Sequence, residues 1–493
     1  MGEEIESESF SDDDRRRFAE RCRDGLRALD TLVERPGFGA GAPSLGVELE
    51  IGLVDAAGRP APVNHAARDA MDDARLDLEI DRFNLEFNSV PVDLVGTPFA
   101  TLGDDLVDGL ARVSRAAAPT GARPMTIGIL PTLSLDDLGP AAMSDSPRYR
   151  ALGAGLLGLR GGPFAIDIDG PEPLTLSWED LTLEGAATGL HVHLRMPPSA
   201  FAAAFNAAQI AVAPALAVSV NSPLLLGHQL WDETRVALFG QAVDDRAPVS
   251  ERWLASRASF GHGWIAAPTE PFAESVALHV PILAAVGDED PLEAVAAGRT
   301  PRLDELRLHH GTVWRWNRAV LAVGDDAHLR IEMRALPAGP AVRDMQANVA
   351  FLVGLTLALA PQLGWMARSL PFAMARRNFY EAARAGLGAT LLWPSPEAPS
   401  PRPWAAADLV ASLLPVAHVG LVGCGVDRAE ADDLLGVVAE RAASGITGSV
   451  WQRRALASFE REMGRPAALG ALTEAYLERS LAAAPVHEWT VPD

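Results

Sequence analysis

The chain of 493 residues contains no lysine, and all 42 of its basic residues are arginine. That excludes every chemistry built on an ε-amino group: the lysine of a phosphate-binding P-loop, a lysine Schiff base, a pyridoxal-phosphate anchor. Cysteine is almost absent. Cys22 and Cys424 are the only two, too few for a disulfide framework, which points to a reducing compartment. Positive charge is scarce overall, with 65 acidic residues and a net charge of −23. A broad basic surface for nucleic acid or an anionic membrane is therefore excluded. The longest apolar runs, residues 210–220 and 349–360, fall short of a bilayer span and read as buried helices. The acidic start, M-G-E-E-I-E-S-E-S-F, has no apolar h-region, so no signal peptide is expected. A cytoplasmic protein with neither nucleic-acid nor membrane partners is the expectation.

What is present divides into unequal parts. Residues 11–33 carry Phe18, Cys22, Leu26, Leu29 and Leu32 at helical spacing behind a capping Ser11, so residues 1–40 read as an N-terminal helical segment. Residues 41–394 mix strand-like alternations with Ala/Leu-rich helices and read as one catalytic domain. The stretch 395–403 is proline-rich and reads as a stiff connector. Residues 404–493 read as a helical C-terminal subdomain and a candidate subunit contact in a homo-oligomer. There Asp427 and Glu430 have capping-box spacing and Gly445 can close the helix. The helical and extended segments do not alternate as βαβ units. The fold class expected is α+β, with a mostly antiparallel sheet.

Four segments share one division of faces. In G-V-E-L-E-I-G-L-V-D (46–55), Val47, Leu49, Ile51 and Leu53 take one side of a strand, and Glu48 and Glu50 the other. In D-R-F-N-L-E-F-N-S-V (81–90), Phe83, Leu85 and Phe87 oppose Asn84, Glu86 and Asn88. In G-L-H-V-H-L-R-M (189–196), Leu190, Val192 and Leu194 oppose His191, His193 and Arg195. In H-L-R-I-E-M-R-A (328–335), Leu329, Ile331 and Met333 oppose Arg330, Glu332 and Arg334. Any one of these is an ordinary solvated strand face. If the four join one sheet, its polar face gathers Glu48, Glu50, Glu86, Glu332, His191 and His193 beside several arginines. Carboxylates so crowded repel, and divalent cations relieve that repulsion. Oxygen donors with an imidazole suit Mg²⁺ or Mn²⁺, and neighbouring arginines suit phosphate.

The order G-V-E-L-E, L-E-F-N-S-V-P-V-D-L, G-L-H-V-H-L, S-V-N-S-P-L-L-L-G, R-I-E-M-R and R-R-N-F-Y-E-A-A-R-A-G-L resembles the glutamate–cysteine ligase-like carboxylate–amine ligases of the glutamine synthetase-like superfamily. The resemblance runs from about residue 44 to 394, and T-G-S-V-W-Q-R-R near the C-terminus also fits. It implies a curved, mostly antiparallel sheet flanked by helices. It also implies ATP-dependent amide formation through an acyl phosphate, with glutamate and cysteine as the named substrates. The metal ligands implied are Glu48, Glu50, Glu86, His191 and Glu332, with Mg²⁺ or Mn²⁺ as cofactor. His193 and Arg334 would approach the nucleotide phosphates, and Arg330 the phosphoryl group or the substrate carboxylate. Arg235, in D-E-T-R, would meet the amino-acid substrate, with Asn221 and Asn378 as weaker candidates. Asn221 also fits a simple turn before Pro223. Arg148 and Tyr149 fit either a loop over the site or a surface turn. The sequence departs from the family pattern at Leu190, where cysteine is common, and in I-G-I-L-P-T, where a G-T-H-P histidine is missing; both bear on substrate choice. Three alternatives stay open: a superfamily ligase with a different amine, a non-catalytic nucleotide or amino-acid binder, and a metal-dependent hydrolase built on His191 and His193.

Overall fold

The structure, a computed structural model, describes residues 7–247, 253–395, 398–482 and 484–492. The strands are β1 (Ser44–Val54), β2 (Leu76–Leu78), β3 (Asn84–Asn88), β4 (Val92–Asp93), β5 (Arg123–Met125), β6 (Phe164–Ile168), β7 (Leu174–Trp178), β8 (Leu190–Arg195), β9 (Leu224–Leu225), β10 (His228–Gln229), β11 (Asn317–Ala322), β12 (His328–Met333), β13 (Thr390–Ser395) and β14 (Ala398–Ala405). Eight of them form one sheet in the order β11–β12–β8–β1–β3–β2, with β4 and β5 paired to the two ends of β1. Every pair is antiparallel. The α+β expectation holds, and all four alternating segments lie in this curled sheet.

The alternation sets the sheet's two faces. Leu49, Ile51, Leu85, Phe87, Leu190, Val192, Leu194, Leu329, Ile331 and Met333 are fully buried in one continuous core. The helices Pro98–Ala117, Pro198–Ser219 and Val342–Leu359 lie against the strands. Leu190, the position where the resemblance led one to look for cysteine, belongs to this apolar face and not to the polar one. Burial of each such side chain contributes roughly 1.5–3 kcal/mol, which fixes the register: a one-residue slip would put every one of them in the polar layer.

The N-terminal helix runs Asp12–Val33 with a full capping box from Ser11 and Asp14. The box expected at Asp427 and Glu430 does not form. Asp427 precedes the helix Arg428–Ser444 without a side-chain bond, although Gly445 does close it in the left-handed conformation. Glu430 instead accepts a 2.6 Å hydrogen bond from the Ala100 amide, so it caps the start of Pro98–Ala117, a different helix. The proline-rich stretch is not a connector either. β13 and β14 pair as a hairpin with an irregularity between Trp393 and Ser395. Edge strands tolerate proline because no ladder donor is needed on their open side.

The C-terminal helices pack directly against the helix Val342–Leu359. Gly354 of Val342–Leu359 and Gly420 of Ala406–Cys424 face each other so closely that a Cβ at Gly420 would fall 2.0 Å from the Gly354 carbonyl. Arg441, 1% exposed, donates to Asp344 at 2.6 Å and to Asn348 at 2.5 Å. The expectation that no segment is long enough to span a bilayer also needs correcting. Pro198–Ser219, Val342–Ser369 and Ala406–Cys424 all suffice by length and composition, with 89%, 61% and 33% of the apolar window buried within the protein.

Candidate active site

The register brings the polar positions into contact. Glu48 pairs with His191, Glu50 with Glu86, His193 with Glu332, and Arg318 with Glu332 across successive strands. Two groups of donors result. In Glu48, His191 and Glu332 one ligand atom from each lies within 4.8 Å of the others, and the same holds for Glu50, Glu86 and His191. His191 belongs to both: its Nδ1 is 3.4 Å from Glu48 and 3.7 Å from Glu332, and its Nε2 is 3.4 Å from Glu50. His193 is in neither. Its Nδ1 accepts from Arg330 Nε at 2.9 Å and its Nε2 lies 3.0 Å from Glu48. The two histidines therefore do not converge on one ion, which removes the geometric basis of a two-histidine hydrolase.

The electrostatics show what the cluster lacks. Burial, then Glu48, then Glu50 push the Glu86 carboxyl up to about 8. Burial and Glu50 push Glu184 up to about 8 as well. Glu79 is driven well above the carboxylate range by burial and by Glu50, Glu86 and Glu184. Burial would raise Glu332 too, but Arg318 and Arg334 outweigh it and hold it well below that range. Burial would likewise raise Glu48, but His193 and His191 hold it low. Burial, then Arg334, lower His191, leaving a neutral imidazole able to ligate. Carboxylates thus outnumber the cations available to them, and the donors are hard oxygens plus one imidazole. This set fits Mg²⁺ or Mn²⁺ and suits zinc poorly, since no thiolate is near.

Two cavities open on the cluster. The larger, about 130 Å³, is lined by Glu48, Glu50, Glu86 and His191 together with Arg148, Tyr149, Trp314, Arg318 and Arg334. Arg148 and Tyr149 therefore sit over the site, with the Tyr149 hydroxyl anchored on the Leu78 carbonyl at 2.9 Å. The smaller, about 20 Å³, is lined by Glu50, Glu184, His191, Arg235, Phe239, Trp316 and Arg334. Arg235 is 4% exposed and donates to Glu233 at 3.1 Å and to the Ala335 carbonyl at 3.3 Å, while its Nε has no partner. A Cβ at Gly189 would lie 2.5 Å from Arg235 Nη2, so glycine there lets the guanidinium pass. Arg334 donates to Glu332 at 2.6 Å and lies over the Phe239 ring. A wider cleft of about 1090 Å³, lined among others by residues 132–136 and Arg465, shares no residue with these cavities.

Several expectations need revising. Arg330 and His193 share the sheet's polar face with the others but line neither cavity. Asn221 is fully buried and engaged on all sides: its amide donates to the Ala338 carbonyl and Tyr476, and its carbonyl accepts from Gln452. It ties the C-terminal helices to the core and lines neither cavity. Asn378 pairs with both backbone groups of Leu392. Leu130, at the missing histidine, packs over Gly52 of β1. Conversely, Glu79, Glu184 and Arg318 line the larger cavity without having been singled out. Glu79 sits seven residues before Glu86, outside the alternating strand. Arg318 lies in β11, N-R-A-V-L-A, whose polar residues are confined to its first two positions and show no alternation. Glu184 is on the short turn Thr182–Gly185, which has no periodicity at all.

A curled antiparallel sheet with carboxylates and histidine on its polar side defines the class: a glutamine synthetase-like fold. Residues 44–465 match the description of glutamate-cysteine ligase family 2 (GCS2), and the chain belongs to that family. It is an ATP-dependent ligase. Its fold is similar to the crystal structure of a glutamate–cysteine ligase from Francisella tularensis in complex with AMP, with a TM-score of 0.55 and 10% identity over 92% of this chain and 91% of that one. A bifunctional glutathione synthetase from Pasteurella multocida aligns with a TM-score of 0.49 and 11% identity over 93% of this chain and 53% of that one. No curated protein sequence matches the chain.

Proposed function

We propose that the enzyme joins the γ-carboxylate of glutamate to the amine of cysteine, with ATP as phosphoryl donor. The observation that carries this is the pair of overlapping carboxylate–imidazole sets beside a buried arginine, Arg235, in a chain of this family. Glu48, His191 and Glu332, and Glu50, Glu86 and His191, would hold Mg²⁺ or Mn²⁺. When bound, such ions neutralise the phosphates of ATP and hold them in place. Arg235 receives a carboxylate of the acidic substrate through its unpartnered Nε. Arg334, at the junction of the two cavities, stabilises charge on the transferring phosphoryl group.

The chemistry follows in two displacements. A glutamate carboxylate oxygen bonds to the γ-phosphorus and the bond to the ADP oxygen breaks. The amine, entering as ammonium, gives one proton to solvent and so exposes its lone pair; its nitrogen then bonds to the acyl carbon, the acyl–oxygen bond breaks, inorganic phosphate leaves, and the nitrogen surrenders a second proton. The protein supplies position and electrostatics and no covalent nucleophile. Missing the G-T-H-P histidine, the chain has an apolar Leu130 in its place, so an amine other than cysteine is the second reading. The deciding experiment is phosphate release from ATP and Mg²⁺ with amino acids offered singly and in pairs. Release that needs glutamate and cysteine together supports the first reading. Release with glutamate and another amine supports the second, and nucleotide binding without turnover across the panel would sink both.

A further inference from the structure

Glu184 stands apart from the residues so far given a role. It lines both cavities, a property it shares with Glu50, His191 and Arg334 alone. Those three are already engaged: Glu50 and His191 belong to the cation sets, and Arg334 is bonded to Glu332. Glu184 belongs to neither set. Its side chain accepts no hydrogen bond from any described residue, and Oε2 is buried without a partner. Burial and Glu50 hold the Glu184 proton up to about 8; a cation arriving beside Oε2 favours the ionised form, which offers about four acceptor positions.

The backbone holds this carboxylate in place. Asp180 accepts from the Thr182 amide at 2.8 Å and from the Thr182 hydroxyl at 2.6 Å, and Trp178 Nε1 donates to the same oxygen at 2.8 Å. Asn84, on β3, donates to the Gly185 carbonyl. Gly185 lies against Asp81, where a Cβ would come within 2.8 Å of the carboxyl carbon. Glu184 is thus fixed between Arg235 and the aromatic pair Phe239 and Trp316 on one side, and Arg148, Tyr149 and Trp314 on the other. Arg235 and Glu184 line the smaller cavity together, so a substrate carboxylate received by Arg235, as proposed above, would lie beside Glu184, which also faces the larger cavity.

We propose that Glu184 receives the ammonium group of the amine substrate and sets its approach to the activated carboxyl. An α-amine enters largely as ammonium at neutral pH. Its N–H donors fill the empty acceptor positions, in charge-assisted bonds about twice as strong as neutral ones. This inference rests on the ligase reading of the site and adds the group that recognises the second substrate.

The test uses two nucleophiles. Hydroxylamine traps an acyl phosphate as a hydroxamate and is largely uncharged at neutral pH. The parent enzyme with glutamate, ATP and Mg²⁺ should form hydroxamate; if it forms none, the ligase reading itself falls and this inference with it. In Glu184→Gln, KM for cysteine, or for the amine that phosphate release identifies, should rise about tenfold or more. The ratio of hydroxamate to amide should rise in parallel, and half-activation by Mg²⁺ should stay where it was. Glu184→Asp, which keeps the charge, should recover part of the amine affinity. If the parent makes hydroxamate but Glu184→Gln loses amide and hydroxamate together, or needs more Mg²⁺, then Glu184 serves the cations and the proposal is overturned. An unchanged KM for the amine also overturns it.

Discussion

Two buried charged clusters can be set side by side. At the first, Asp344 is fully buried and accepts from Arg441 at 2.6 Å and from the amides of Val486 and Ala341 at 3.1–3.2 Å. One cation meets one anion, and backbone donors occupy the remaining lone pairs. At the second, Glu48, Glu50, Glu79, Glu86, Glu184 and His191 surround the larger cavity, and the arginines lining it are Arg148, Arg318 and Arg334. In the first cluster the two charges balance within the chain, although Arg441 Nε has no hydrogen-bond partner, and the pair joins the C-terminal helices to the helix Val342–Leu359. In the second, carboxyl groups outnumber arginines. Balanced buried charge marks a joint; an excess of one sign marks a place where ligands belong.

Variants can break this contrast. Arg441→Ala should cost about 3–5 kcal/mol, because it leaves Asp344 buried without its partner. The readout is the denaturant midpoint, with KM for every substrate unmoved in the protein that remains folded. Glu332→Gln should do the opposite. Phosphate release should fall by about a hundred- to a thousandfold, the scale of losing one preorganised charged group at a reacting centre, while circular dichroism and the midpoint stay near those of the parent. Near-normal turnover would remove Glu332 from the site.

Arg235→Ala sharpens the comparison within the site. Losing a charge-assisted contact of about 1.5–3 kcal/mol should raise KM for the acidic substrate about ten- to a hundredfold, with KM for ATP unchanged. The smallest effect concerns pH. Glu86 and Glu184 hold their protons up to about 8 when folded, against 4.5 ordinarily. Their contribution to stability is therefore complete below pH 4.5 and is lost as pH rises through 8. The melting temperature of metal-free protein should fall between about pH 5 and about pH 8 and level off above that. Millimolar Mg²⁺ should restore it, and Glu86→Gln should flatten the dependence. A flat profile in the parent would mean that these carboxyls are not crowded as described.

The site was legible in the sequence where its residues alternate on strands. Glu48 and Glu50, Glu86, His191, and Glu332 with Arg334 each show a two-residue period against Leu, Ile, Val or Phe, and the period alone assigns them to a face. What no strand shows by itself is its neighbour. That Glu48 lies opposite His191, and Glu332 opposite His193, comes from the pairing of chains more than 130 residues apart. Residues outside the alternation stayed invisible: Glu184 sits on a single turn, and Arg318 on a strand whose polar residues do not alternate. Asn221 misled because a buried asparagine beside a proline turn has the same local pattern whether it binds a ligand or a helix. The prolines before Trp404 misled because composition reports backbone stiffness and not pairing. Helix ends fared better where their partners are local, as at Ser11, and worse where a side chain reached another helix, as Glu430 does.

His191 stands between two groups of carboxylates, with one ring nitrogen toward each. A neutral imidazole has a single lone pair to give, so only one group can use it, while the other receives an N–H and must rely on oxygen alone. Two ions bound here would be unequal by construction, one tight and one loose. A magnesium titration of activity should then rise in two separate steps, with the loose ion free to arrive and depart alongside the nucleotide.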